Sequence, residues 1–316
     1  MKVIDLINSS KSTAFSFEIL PPLKGNSIQK VYNVIDKLIE FDPKYINITS
    51  HHSEYIYKTL PDGSFQKINI RKRPGSVAIA SAIQNKYGIT AVPHIICKGF
   101  TKDETEYALI DLNFLGVYDL LLLRGDVKTL EAGQKTDIYH EHAIDLQQQV
   151  NDFNKGIAID GSAFEANETP FSYGMACYPE KHEEAPNMDS DIFYLKEKVK
   201  NGADYLVTQM FFDNEKYYAF VDRCRAEGIT VPIIPGIKPI VFKNQLTVLP
   251  KIFRSDIPEP FATELRKCKT DDEAKAVGVE WCIQQCKDLI AHGVPSLHFY
   301  TMMASDSVYK VAKEVY

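Results

Sequence analysis

Nowhere in this chain of 316 residues do eighteen apolar residues follow one another, and the short apolar patch in MKVIDLINSSKS at the N-terminus is broken by Asp5. A bilayer-spanning helix needs about 20 apolar residues, and a secretory leader needs an unbroken apolar stretch. We therefore expect no membrane partner and a cytoplasmic protein. Basic charge is also scarce: 36 Lys and Arg stand against 42 Asp and Glu, a formal net charge of -6. Phosphate backbones are held by basic patches, and the one short cluster, IRKRPG (Ile70 to Gly75), reads as a solvated helix start. Nucleic acid is not an expected partner.

Cysteine is sparse and unpatterned. The six (97, 177, 224, 268, 282, 286) form no C-x-x-C clip, and only Cys282 and Cys286 lie close, at the spacing of one helical face. A structural zinc needs four ligands, so these read as reduced thiols with no metal. The HEH run (His140 to His142) would send its histidines apart on a strand or a helix. A G-x-G-x-x-G turn is missing too, which disfavours a dinucleotide-binding open sheet.

What is present is a regular alternation. Short β-rich runs cover Phe15 to Leu20, Tyr45 to Ser50, Ile89 to Cys97, Asp119 to Arg124, Phe171 to Tyr178, Tyr205 to Phe212, Pro232 to Ile237 and Ser296 to Met302. Segments of helical period lie between them, such as DIFYLKEKVKNGA, NEKYYAFVDRCRAEG and the long stretch from Asp271 to Gly293. Strands alternating with helices predict a parallel sheet, and eight such units in this length match an α/β fold of the (β/α)8 TIM-barrel type. One catalytic domain over residues 1–316 is expected, with loop insertions near 127–142 and 155–170.

Barrel enzymes carry their chemistry where strands end. The polar residues there are Glu18, Thr49 with Ser50, His94, Arg124 with Asp126, Tyr178, Gln209, and His298 with Tyr300. In FSFEILPP, strand alternation puts Ser16 and Glu18 on one face and Phe17 and Ile19 on the other. If the phenylalanines pack on helices, Glu18 points into the barrel mouth. A carboxyl in an apolar setting holds its proton to higher pH, which suits a general acid, although a buried ion pair with a cation such as Arg124 would look the same. LLLLRGD sets a glycine between two charges, where a ligand can approach the backbone. His94 alone could be a core histidine. Gln209 in TQMFFD is a buried amide that must find partners, and an amide can read the edge of a heterocycle.

Taken together, FSFEILPP, INITS, PHIIC, LLLLRGD, YPEKHEEA, GADYLVTQMFFD, IIPGIKPI and LHFYT, in this order from about residue 15 to 301, resemble the methylenetetrahydrofolate reductases, specifically the compact bacterial type. That resemblance implies a (β/α)8 barrel binding FAD, with NADH or NADPH as co-substrate. It implies a ping-pong reduction of 5,10-methylenetetrahydrofolate to 5-methyltetrahydrofolate in one-carbon metabolism and methionine biosynthesis. Glu18 matches the family's general acid, and Asp126 matches a residue between flavin and folate that contacts the pterin. Gln209 and Gln245 match folate contacts. His94, Arg124, Gly125, Asp126, Tyr178, His182, Ala185, Asp191 and Lys198 match FAD contacts, and Thr49 matches a contact to the nicotinamide cofactor. The resemblance allows a homo-oligomer, and it leaves the choice of NADH or NADPH and the polyglutamate preference open.

The chain also departs from that pattern. Ser50 and His52 replace a common Tyr and Ala after the second strand, and Tyr194 and Glu197 stand where Asn and a basic residue are usual. Met303 and Ala304 replace Asn-Arg, removing an arginine contact to folate, which leaves open either a lysine elsewhere that covers the glutamate tail or a lower affinity for that tail. The chain stops at Tyr316, which implies no regulatory domain and no control by S-adenosylmethionine. Two rival readings are another barrel enzyme, flavin-dependent or hydrolytic with metal ligands at strand ends, and a colourless pterin-binding protein that needs no proton donor.

Overall fold

A computed structural model describes residues 1–51, 54–97, 100–125, 138–302 and 305–316. The strands are β1 (Ala14–Ile19), β2 (Tyr45–Ile48), β3 (Glu54–Thr59), β4 (Phe65–Ile70), β5 (Thr90–Ile96), β6 (Asp119–Leu123), β7 (Ser172–Cys177), β8 (Tyr205–Thr208), β9 (Ile233–Ile234), β10 (Gly236–Ile237) and β11 (Ser296–Tyr300). Nine of them form one sheet in the order β10-β11-β1-β2-β5-β6-β7-β8-β9, every pairing parallel. β9 and β10 are two halves of a single strand broken at Pro235, which has no N–H to give a ladder. The Pro235 carbonyl still accepts from the His298 N–H at 3.1 Å. Counting that broken strand once, the sheet closes as an eight-stranded (β/α)8 barrel.

Alternation along each strand divides the core in two. Phe15, Phe17, Ile19, Ile46, Ile48, Leu120, Leu122, Met175 and Phe299 face outward into the layer between sheet and helices. Each side chain so buried contributes about 1.5–3 kcal/mol. Tyr45, Val92, Leu121, Tyr205, Val207 and Ile234 face inward, and the short helix Val3–Ser9 closes the bottom of the barrel with Val3 and Ile7. The Val3 N–H donates to Asp119 Oδ1 at 2.8 Å, which fixes this plug to the start of β6.

Two elements differ from expectation. β3 and β4 form a separate antiparallel hairpin after β2, turning through Leu60–Ser64 with Gly63 at φ 82°. Such a conformation is open to glycine at no steric cost, and the Asp-Gly pair in LPDGS is its sequence signal. IRKRPG is accordingly not a helix start: Ile70 ends β4, and the next helix begins at Ser76 behind the Gly75 cap. Pairing with β3 extends the strand to Ile70, which a run read by itself cannot reveal. The segment after it is fastened to the loop following β1, with the Lys24 N–H donating to the Lys72 carbonyl at 2.7 Å and Arg73 donating to the Pro21 carbonyl.

Of the expected insertion near 127–142, only residues 138–142 lie among those described. Near 155–170 the chain makes a tight turn bridged by Ile157 and Ala163. No helix among the described residues is long and apolar enough to cross a membrane.

Candidate active site

Glu18 is the last inward residue of β1, and its side chain is 12% exposed. Its Oε2 lies 3.6 Å from Nε2 of His94, which points inward from β5. The Thr301 hydroxyl donates to the Glu18 backbone carbonyl at 2.5 Å. Burial pushes the His94 pKa down to about 3, helped by the charges His298 and His51 would carry, so His94 is a neutral imidazole. On the neighbouring strand, His298 Nδ1 is 2.9 Å from the Ser16 hydroxyl, its ring stacks on Tyr45 at 5.9 Å, and burial holds it neutral with a pKa of about 3.

β10 and β11 add two groups at the level of Glu18. Tyr300 is the register partner of Glu18, and its hydroxyl donates to the Thr208 carbonyl at 2.6 Å. Gly236 pairs with His298, so Lys238, two residues on, comes level with Tyr300 and Glu18. Lys238 is 5% exposed, and burial lowers its pKa while the Glu18 carboxylate opposes that shift. Sequence reasoning missed Lys238. Its only signal is a lysine within the apolar run IIPGIKPI. It also missed Asn47, the fully buried register partner of Glu18 on β2, whose amide atoms have no hydrogen-bond partner among the described residues.

A second cluster gathers beyond β6 and β7. Arg124 follows β6 beside Gly125 at φ 84°, its guanidinium pairs with Glu184, and its Nε is buried without a partner among the described residues. The Tyr178 ring meets the His182 ring edge-on at 4.7 Å, and the His182 N–H donates to Asp191 at 2.8 Å. Lys181 Nζ holds the carbonyls of His182 and Ala185 at 3.0 and 2.6 Å, tightening the loop into the helix Met188–Lys200. From that helix Lys198 Nζ reaches back to the Ala176 carbonyl at 3.1 Å. Burial lowers the Lys198 pKa, and Asp191 works against that. Arg124 with its orphaned Nε and Lys198 from the last turn of that helix are two cations that suit a diphosphate.

The remaining residues are placed as follows. The Thr49 N–H donates to the Ile19 carbonyl at 3.0 Å, and its hydroxyl sits 3.0 Å from His51 Nε2. Ser50 donates to the His94 carbonyl and meets the Ser76 hydroxyl at 2.8 Å, so it braces β5. Gln209 turns its amide oxygen to the Met210 N–H at 3.0 Å. Gln245 Oε1 accepts from the N–H groups of Val241 and Phe242 at 2.7 and 3.0 Å, which ties down the loop behind β10. Asp126, His52, Met303 and Ala304 lie outside the described residues. His140 bonds Gln149 at 2.5 Å, whereas the His142 N–H caps its helix through Asp145 at 2.9 Å. Among the described residues, no three His, Cys, Asp or Glu side chains gather as metal ligands. The strand ends thus carry a nearly buried carboxyl on β1 and a donor-rich cluster beyond β6 and β7.

Comparison with known proteins matches residues 2–316 to the family model described as methylenetetrahydrofolate reductase. A probable methylenetetrahydrofolate reductase (NADPH) of Caenorhabditis elegans is 30% identical over 315 residues, 99% of this chain and 43% of that protein. The 5,10-methylenetetrahydrofolate reductase of Escherichia coli K12 is 30% identical over 297 residues, 94% of this chain and 88% of that protein. The chain thus spans less than half the length of the nematode relative. Among solved structures, a Clostridium thermocellum protein that binds two copies of 5-methyl-5,6,7,8-tetrahydrofolic acid superposes with a TM-score of 0.54 at 15% identity, covering 98% of both chains. That likeness supports the barrel fold.

Proposed function

The chain belongs to the methylenetetrahydrofolate reductase family, and on that premise we propose that it reduces 5,10-methylenetetrahydrofolate to 5-methyltetrahydrofolate with NADH or NADPH. The reading places it in one-carbon metabolism and methionine biosynthesis as one catalytic domain with a ping-pong order, one site serving both half-reactions. FAD, when bound, supplies the hydride relay between the nicotinamide and the folate. Arg124, Gly125, Tyr178, His182, Ala185, Asp191 and Lys198 would hold it, with His94 and Thr49 facing the reacting end. The orphaned Arg124 Nε and the buried Lys198 fit the diphosphate.

The observation that carries the reading is Glu18, a carboxyl almost wholly inside an enzyme barrel and 3.6 Å from a neutral histidine. The bridging methylene accepts hydride poorly until one carbon–nitrogen bond opens. The electron pair of that bond stays with the leaving nitrogen, which must take a proton. In this reading Glu18 gives it. Gln209 and Gln245 would orient the pterin, each through the amide nitrogen, since their carbonyl oxygens accept from backbone N–H groups. Asp126 would contact the pterin and favour its cationic form.

The test is a visible spectrum of the purified protein, followed by anaerobic addition of NADH or NADPH and then of methylenetetrahydrofolate. A flavin band that bleaches with reductant and recovers with folate is the expected result. A band that bleaches without recovering would point to another flavin-dependent barrel enzyme, and a colourless protein that FAD cannot reconstitute would overturn the reading.

A further inference from the structure

We propose that Lys238 is the electrostatic partner of Glu18, a positioning residue whose ammonium stabilises the carboxylate that forms as Glu18 gives its proton to the substrate. The proposal rests on the folate-reducing reading of the site. It starts from a buried cation: Lys238 is 5% exposed, and among the described residues its ammonium makes no hydrogen bond or ion pair. Removing an ammonium from water costs several kcal/mol unless a counter-charge meets it. A resting lysine in this state is therefore waiting for a negative charge.

The register identifies where that charge arises. Gly236 of β10 pairs with His298 of β11, and Tyr300, two residues on, pairs with Glu18 of β1. Lys238, two residues beyond Gly236, lies on the same level of the barrel as Glu18. Gly236 and Lys238 share the inward parity, because Ile237 between them belongs to the outer core. Among the described residues, Cys282, His94 and Tyr300 are charged or titratable groups around the pair. Lys238 feels Glu18 and Cys282, and His94 and Tyr300 face Glu18 from β5 and β11. His94 is neutral and the Tyr300 phenol is held protonated by burial, so among these described groups Lys238 is the cation.

The charge changes balance around one turnover. In the acid form that the reaction uses, Glu18 carries the proton and Lys238 carries the positive charge. The proton then moves from the Glu18 carboxyl to the leaving nitrogen, the carbon–nitrogen electron pair stays on that nitrogen, and Glu18 becomes a carboxylate beside an ammonium. This attraction exists only as the proton departs, so it lowers the barrier rather than tightening the ground state. Hydride then completes the methyl group, and Glu18 regains a proton from solvent.

The experiment follows the Glu18 carboxyl directly by carbon-13 NMR in protein labelled at glutamate carboxyls, the signal being assigned by its loss in Glu18→Gln. Replacing the ammonium by an isosteric apolar chain in Lys238→Met should move the Glu18 titration up by about one pH unit. Lys238→Arg should leave it near the wild-type position. In stopped flow, the alkaline limb of the folate half-reaction should move to higher pH by the same amount in Lys238→Met. Lys238→Gln gives the same reading if the methionine variant folds poorly by circular dichroism. An unchanged Glu18 titration in either neutral variant would overturn the proposal, whatever the activity. A shifted titration in a protein that turns over no folate would keep the Lys238–Glu18 pair and overturn the folate reading.

Discussion

Nε2 of His94 stands 3.6 Å from Oε2 of Glu18, with 5% of one side chain and 12% of the other exposed. Because burial holds the imidazole neutral down to about pH 3, this contact is not an ion pair at working pH. His94 therefore adds no positive charge beside the Glu18 carboxyl. Glu18→Gln should accordingly keep bound FAD and its reduction by NAD(P)H while losing at least a hundredfold in the folate half-reaction, the range expected when a general acid is removed. Single-turnover stopped flow separates the two, and unchanged rates in both would remove Glu18 from the chemistry.

FAD affinity offers a separate test. The Arg124 guanidinium pairs with Glu184 and keeps a buried Nε without a partner among the described residues. Arg124→Gln removes the charge while keeping much of the stem, and should weaken FAD binding at least tenfold, since a charge-assisted pair contributes about 1.5–3 kcal/mol. Fluorescence titration of the apoprotein measures it. Equal affinity in variant and wild type would remove Arg124 from the cofactor site.

Acid should unfold the protein through its buried histidines. His94 and His298 sit at about 3 when folded, against 6.5 for an ordinary histidine. Between those values the unfolded chain binds protons that the folded chain refuses. The stability they provide is complete above about pH 6.5 and is lost as the pH falls, at about 1.4 kcal/mol per pH unit for each. Asp119, pushed up to about 6 by burial from 3.8, acts in the opposite sense over its own window, where the folded chain takes the proton first. Two histidines outweigh one carboxyl, so Tm should drop between pH 6 and 4. His298→Asn should flatten that slope, and a variant with the wild-type slope would mean that His298 is charged in the folded state.

Most of the barrel could be read from the chain because its outward layer is local information. Phe15, Phe17 and Ile19 alternate with Ser16 and Glu18 whatever else the chain does, and that pattern located β1 to within one residue at each end. The end of the run Tyr205 to Phe212 could not be judged that way: β8 stops at Thr208, and Met210 and Phe212 turn away to pack with Leu249, Phe261 and Leu265 of the extra helices behind β10. Lys238 and Asn47 were invisible for a related reason. An inward side chain takes its meaning from the strands beside it, and the residues that flank Glu18 come from positions 47, 94, 238 and 300. The hairpin was missed despite its Asp-Gly turn, because its strands carry charged and apolar residues on both faces.

The barrel interior also makes a steric demand that can be tested without any ligand. A Cβ on Gly174 would lie 2.3 Å from the Tyr205 ring, which crosses the barrel beneath the site and is fully buried 6.3 Å from the Tyr45 ring. Gly174 therefore leaves the space that this ring fills. Gly174→Ala should destabilise the fold by about 1–3 kcal/mol, the usual penalty for overpacking. Tyr205→Leu, which clears the space, should cost stability alone through the cavity it leaves, yet cost less in the Gly174→Ala background. Denaturant unfolding of the four proteins yields the coupling energy. Additive effects would mean that the ring and the glycine do not meet, whereas a coupling of at least 0.5 kcal/mol would place Tyr205 across the barrel at the level of Gly174.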